Sequence, residues 1–218
     1  QRANTVTAGI EDGYNSTEMT LNIIDGLEQM EWPEGYDYYV AGEFETQQES
    51  FGSLGQMLLI AILGIFAVLI LQFRSFAQPF IVVSAIPLAF SGSIVGLFLT
   101  GYSFSFFAFI GFTSLVGIVV NTSIILVDYT NQLVERGMPL GEALRQAAET
   151  RFNPILLTTI TTISGLLPLT LAGSNLWAPL CWTIIGGMVS STFLTLLIVP
   201  ILYQWLSKGR FKTEQVEI

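Results

Sequence analysis

The sequence predicts a multi-pass α-helical membrane protein: five transmembrane helices preceded by a βαβ (α/β) fragment. Three observations carry this. Charged residues make up only 11% of the chain and apolar ones 51%, whereas a soluble domain carries about 25% charged. Three stretches hold no charge at all: Ser50–Phe73 (24 residues), Ser75–Val127 (53) and Phe152–Ser207 (56). A spanning helix needs about 20 apolar residues, so these stretches hold one, two and two helices. Finally, residues 1–50 carry eleven of the seventeen acidic residues and a single base, Arg2.

Taken in order, residues 1–50 read as the end of a larger extramembrane subdomain. Thr5–Ile10 alternates weakly, as a strand does. Asn15 and Glu18 have capping-box spacing with Asn in the first position. Leu21, Ile24, Leu27 and Met30 repeat at helical spacing, and Trp32-Pro33 stops the helix. Tyr36–Val40 is aromatic and β-prone. Two strands and one helix cannot bury a core by themselves, so this segment requires partner strands.

Residues 51–208 form the bundle. Thr100–Ser103 breaks the second charge-free stretch and Ala172–Asn175 the third. The helices are expected at about 54–73, 79–100, 104–130, 154–172 and 178–206. Three of them open at Pro79, Pro154 and Pro179, because the first helical N–H has no partner in any case. Between the third and fourth, Leu140, Ala143, Leu144, Ala147 and Ala148 form one apolar helical face, with Glu142, Arg145, Glu149 and Arg151 opposite. This predicts an amphipathic helix over 139–151, either lying on the membrane surface or coupling the spans that flank it. Residues 209–218 are a short tail. The sequence starts with Gln1 rather than Met and shows no basic, apolar leader, and the expectation is a piece of a longer chain or one shortened upstream.

Composition excludes several functions. The chain has no histidine and one cysteine, Cys181, so no His/Cys zinc site or Cys-His nucleophile is expected. A net charge of −9 is the opposite of a nucleic-acid footprint. No phosphate loop, dinucleotide fingerprint or nucleophile elbow is present, so no cofactor and no enzymatic activity are expected.

Orientation follows from the basic residues. Arg74, then Arg136, Arg145 and Arg151, then Lys208, Arg210 and Lys212 all fall on one side of the predicted bundle. The 101–103 and 173–177 connections carry none. The basic side and the C-terminus are expected in the cytoplasm, with residues 1–50 outside.

Polar groups inside the spans need a reason, since hydrocarbon penalises them. Ser114, Gly117, Asn121 and Asp128 fall within roughly 60° of one helix face at 100° per residue. That stripe is either a polar track for ions or protons or interhelical glue ending in a solvated Asp128. Thr158 and Thr162 share a face of the next helix, where hydroxyls commonly bond back to their own backbone. Gly92 with Gly96, Gly186 with Ser190 and Gly187 with Ser191 have the four-residue spacing of close helix packing.

Several segments together resemble the C-terminal end of a resistance-nodulation-division (RND) efflux permease of the hydrophobe/amphiphile exporter type. They are Gln72–Phe76, Ile86-Pro87-Leu88, Gly117–Asn121 through Asp128-Tyr129, Asn153–Thr159, Gly165–Leu169 and Ile185–Met188. Pro33 and Gly42-Glu43 resemble the end of the porter region that precedes the last five helices. The resemblance implies a proton-driven antiporter in the bacterial inner membrane, working as a homotrimer with a periplasmic adaptor (membrane fusion protein) and an outer-membrane channel. It also implies twelve helices in two repeats, with an essential aspartate pair in the N-terminal half, outside this chain. Asn121 takes the position that faces this pair, Thr158 the helix-four hydroxyl and Arg151 the basic residue. Drug-exporting members often carry lysine where Asn121 stands, and an amide neither binds a proton nor pairs ionically with a carboxylate. The alternative function is a non-transporting membrane scaffold or a channel-like assembly subunit.

Overall fold

Hydrocarbon offers no water to a backbone N–H or C=O, so a long charge-free run must close its hydrogen bonds within itself, as a helix. The computed structural model describes residues 4–9, 16–33, 35–41, 43–174 and 176–211. Among them lie seven helices: α1 (Ser16–Glu28), α2 (Glu43–Phe73), α3 (Ala77–Val83), α4 (Ala85–Thr100), α5 (Phe106–Glu135), α6 (Leu140–Leu171) and α7 (Trp177–Phe211). Five stretches are long and apolar enough to cross a membrane: Gly55–Phe73, Ala77–Thr100, Phe106–Glu135, Leu140–Leu171 and Trp177–Leu206. The chain is thus a multi-pass helical membrane protein.

Two compact units divide it, residues 1–56 and 57–218. In the first, the expected βαβ fragment is corrected. Its helix is present as α1, but residues 4–9 and 35–41 are extended or irregular, and no strand occurs among the described residues. A strand is defined by its ladder, and neither segment has a partner to bond. Tyr36 instead closes a turn, its N–H donating to the Pro33 carbonyl at 3.0 Å. Trp32 donates to the Leu27 carbonyl at 3.1 Å and stacks on Tyr38 with ring centroids 5.7 Å apart. Leu21, Ile23, Met30 and Tyr39 remain exposed. The Asn15–Glu18 capping box, with Ile10 and Gly42, lies outside the described residues and side chains.

In the second unit, α7 packs against α3, α4, α5 and α6. Leu69, Ile81, Leu115, Leu126 and Val127 are among its most deeply buried side chains. α2 lies at the edge. Leu69 enters the core and Phe66 meets the Phe80 ring edge-on at 5.0 Å, while Met57, Leu59, Ile60, Leu63, Val68 and Leu71 are exposed.

The second span is broken into α3 and α4 at Ser84, whose backbone stays right-handed helical (φ −61°, ψ −18°). Pro87 supplies no N–H to the carbonyl four residues before it, Val83, which loosens the turn there. Gly101, in the left-handed region at φ 76°, ends α4. Ser105 then caps α5, its hydroxyl accepting from the Ala108 N–H at 3.3 Å.

Two features differ from the sequence expectation. Residues 139–151 are not a separate helix, and Pro154 does not start one: Leu140–Leu171 is continuous, with Pro154 and Pro168 inside it. The apolar face of its first turns explains this. Ala143, Leu144 and Ala147 are buried in the same core as the spans, so packing keeps the helix continuous past the missing N–H of Pro154. Arg145 and Glu149, on the outer face, pair at 3.4 Å. Likewise α5 runs to Glu135 rather than about 130.

Candidate functional site

α5 presents two faces. Leu115, Val116, Val119, Val120, Ser123, Leu126 and Val127 are buried. Ser114, Gly117 and Asn121 are exposed and Asp128 is half-buried. The predicted stripe therefore points away from the other helices of this chain. Asn121 is the sixteenth residue of the thirty in α5, about four turns from its C-terminal end. Its amide makes no side-chain hydrogen bond to any described residue. Ser114 donates to the Ile110 carbonyl at 3.0 Å, and Asp128 accepts from Gln132 at 2.8 Å.

The hydroxyls of α6 mostly bond to their own helix. Thr158 donates to the Ile155 carbonyl and Thr162 to the Thr158 carbonyl, both at 2.8 Å. Such bonds leave each oxygen free to accept, so these residues stay available to a partner from outside the chain.

Arg151 does not pair with Asp128. Its guanidinium lies over the ring of the next residue, Tyr129, 4.7 Å from the centroid. Its Nε is buried with no hydrogen-bond partner. The cation–π contact ties α6 to α5 beside the end of the stripe.

The six candidates are thus not gathered into one cluster. Asn121, Ser114 and Asp128 share a helix face, and Arg151 touches it through Tyr129. Thr158 and Thr162 stand on the neighbouring helix.

Close packing is concentrated where α4 meets α7. A Cβ on Gly92 would fall 2.6 Å from the Gly186 carbonyl oxygen, and one on Gly96 3.0 Å from the Gly186 Cα. A Cβ on Gly187 would meet the Ser93 hydroxyl at 2.5 Å and press into the Leu115 side chain. Ser190 donates across the interface to the Leu88 carbonyl at 3.1 Å, and Ser93 does so to the Thr183 carbonyl at 2.9 Å. Ser191 bonds within α7, to the Met188 carbonyl. Gly117 differs from these glycines: nothing lies within 4 Å of the Cβ it lacks, as befits its exposed face.

Sequence reasoning missed a polar clamp. Gln78 of α3 and Asn131 of α5 exchange amide hydrogen bonds at 2.9 and 3.1 Å, and the Tyr203 hydroxyl of α7 donates to the same Asn131 oxygen. Gln78 and Asn131 share a signal, since both are amides next to the ends of charge-free runs, on the basic side. Pairing them needed the packing of three helices.

The comparisons with known proteins agree with this architecture. Residues 1–207 match the AcrB/AcrD/AcrF family. The swarming motility protein SwrC of Bacillus subtilis is 37% identical over 93% of this chain and 20% of its own length. The multidrug resistance protein MdtC of Yersinia pseudotuberculosis is 32% identical over 95% of this chain and 21% of its own. The crystal structure of a heavy metal efflux pump superposes with a TM-score of 0.71 at 30% identity, covering 90% of this chain and 20% of the pump. The chain spans about a fifth of the length of these relatives. It belongs to the AcrB/AcrD/AcrF family of RND efflux permeases.

Proposed function

We propose that this chain is the C-terminal part of a proton-motive-force-driven RND efflux transporter that exports amphiphilic or hydrophobic compounds. The observation that carries this is the uncovered stripe on α5. An unbonded amide near the middle of a spanning helix is costly against lipid, so its natural neighbour is a polar group from outside this chain. In this reading that neighbour is the aspartate pair of the N-terminal half, with Asn121, Thr158 and Arg151 surrounding it. The remaining partners are two further copies of the protein, a periplasmic adaptor and an outer-membrane channel.

Metal cations are the second substrate reading, favoured by the likeness to the heavy metal efflux pump. The full-length protein in liposomes under an imposed proton gradient is expected to show proton flux that saturates with an amphiphilic dye. Flux that answers only to a divalent metal such as Zn2+ would move the substrate to cations. No flux with either would remove the transporter reading, and saturable flux from residues 1–218 alone would remove the need for the N-terminal half.

The protein is expected in the inner membrane with its basic connections inside, because Arg and Lys are retained on the cytoplasmic face. With Cys181→Ala as background, Ser103→Cys and Ser174→Cys are expected to react with an impermeant thiol reagent in intact spheroplasts. Gln146→Cys is expected to stay unlabelled. The reverse pattern would invert the topology.

A further inference from the structure

Five hydroxyl side chains line a cavity of about 10 Å3 where α5, α6 and α7 meet: Thr122, Thr159, Ser191, Thr192 and Thr195. Four of them are more than nine-tenths buried, with Thr159 6% exposed, Ser191 5%, Thr192 7% and Thr195 3%. Thr195 Oγ1 is buried and has no hydrogen-bond partner, an arrangement that costs stability unless something fills the cavity beside it.

The protons of the other four are committed. Thr122 donates to the Ile118 carbonyl at 3.0 Å, Thr159 to the Ile155 carbonyl at 2.9 Å and Ser191 to the Met188 carbonyl at 3.1 Å. A hydroxyl has one proton and two lone pairs. With the Thr159 proton on the Ile155 carbonyl, Thr192 donates in the 2.9 Å bond between the two. The cavity is therefore lined by Thr195, which carries one uncommitted O–H, and by residues whose hydroxyl oxygens have lone pairs to spare. That is the complement of a water molecule, which accepts from one group and donates to two.

Size selects the same occupant. A buried water requires roughly 10–15 Å3 and two to four polar partners, so this cavity has room for one. No acidic side chain lines it, and a bare cation at this depth without a countercharge is strongly disfavoured.

We propose that the α5–α6–α7 cavity is a built site for a single water molecule, held by Thr195 as donor and by the oxygen of Thr192 and a neighbouring hydroxyl as acceptors. Its least covered side is formed by Ile118, 36% exposed, and half-buried Thr122, the residue after Asn121. The water thus sits behind the polar stripe and hydrates the joint between three spanning helices. The assignment needs only the bundle and is independent of what the protein exports.

X-ray radiolytic labelling of the full-length protein in lipid tests it. Radiation splits a bound water in place, and a methionine thioether beside it is readily oxidised. Met188 lines the cavity and is 4% exposed. It is expected to be oxidised in the wild type, to lose that labelling in Thr195→Val and to keep it in Thr195→Ser, while exposed Met57 labels equally in all three. An unlabelled wild-type Met188, or equal labelling in Thr195→Val, would overturn the proposal. A high-resolution density map of the wild type needs no variant. A peak within hydrogen-bond reach of Thr195 Oγ1 supports the site, and an empty cavity with that hydroxyl turned to a backbone carbonyl refutes it.

Discussion

On the proposed function, Asn121→Leu in the full-length protein is expected to slow proton-coupled export by between about fivefold and about 150-fold, while expression and assembly persist. The estimate rests on removing a hydrogen-bond donor from a buried carboxylate, about 1–3 kcal/mol, at 1.4 kcal/mol per tenfold. Asn121 is exposed on the uncovered face of α5 and its amide makes no side-chain hydrogen bond to any described residue, so leucine there breaks no such bond within this chain. An amide offers two donors and an acceptor, and on the proposed function its bonds favour the ionised form of the carboxylate it faces. Without them the carboxylate takes up its proton at higher pH, so the pH profile of export should move upward. Thr158→Val should act in the same direction and more weakly, since Thr158 bonds to the Ile155 carbonyl and offers only its lone pairs outward. Asn121→Lys tests the charge itself: retained activity with a shifted pH profile is expected. Wild-type rates and an unmoved profile in Asn121→Leu would reduce the residue to helix packing.

Gly186→Val is expected to lower stability by at least 1–3 kcal/mol, the usual range for overpacking. Its Cβ would lie 2.6 Å from the Gly92 carbonyl oxygen and 2.8 Å from the Gly96 Cα. Both are backbone atoms, so no rotamer change relieves the clash and α4 must move off α7. That movement would also break the Ser190–Leu88 and Ser93–Thr183 bonds across the same crossing. Unfolding of the full-length protein in a detergent series measures the loss. Gly64→Ala is the matched control, because nothing lies within 4 Å of that Cβ and alanine favours helix. Equal stability of Gly186→Val and wild type would mean that α4 and α7 are further apart than the structure places them.

The legible part of the molecule was the part governed by solvent rather than by partners. Ser75–Val127 and Phe152–Ser207 are too long and too free of charge for any setting but hydrocarbon, whatever packs against them. The α5 stripe was legible for a related reason, as periodicity alone places Ser114, Gly117 and Asn121 on one face. That this face is uncovered within the chain came only from the bundle. The strands expected at Thr5–Ile10 and Tyr36–Val40 are not seen among the described residues, because β-propensity is realised only against a neighbouring ladder.

By itself, the sequence determined that this chain carries five membrane-spanning stretches, because charge is costly in lipid at every position alike and the rule needs no contact map. Tertiary structure decided the rest. It ran α6 unbroken through Pro154, because Ala143, Leu144 and Ala147 found a core to enter. It joined Gln78 to Asn131 across 53 residues of sequence, and it left Thr195 facing a water-sized cavity. Each of these depends on which side chains from distant helices arrive at one point, and helical periodicity fixes a residue's face without fixing what that face meets.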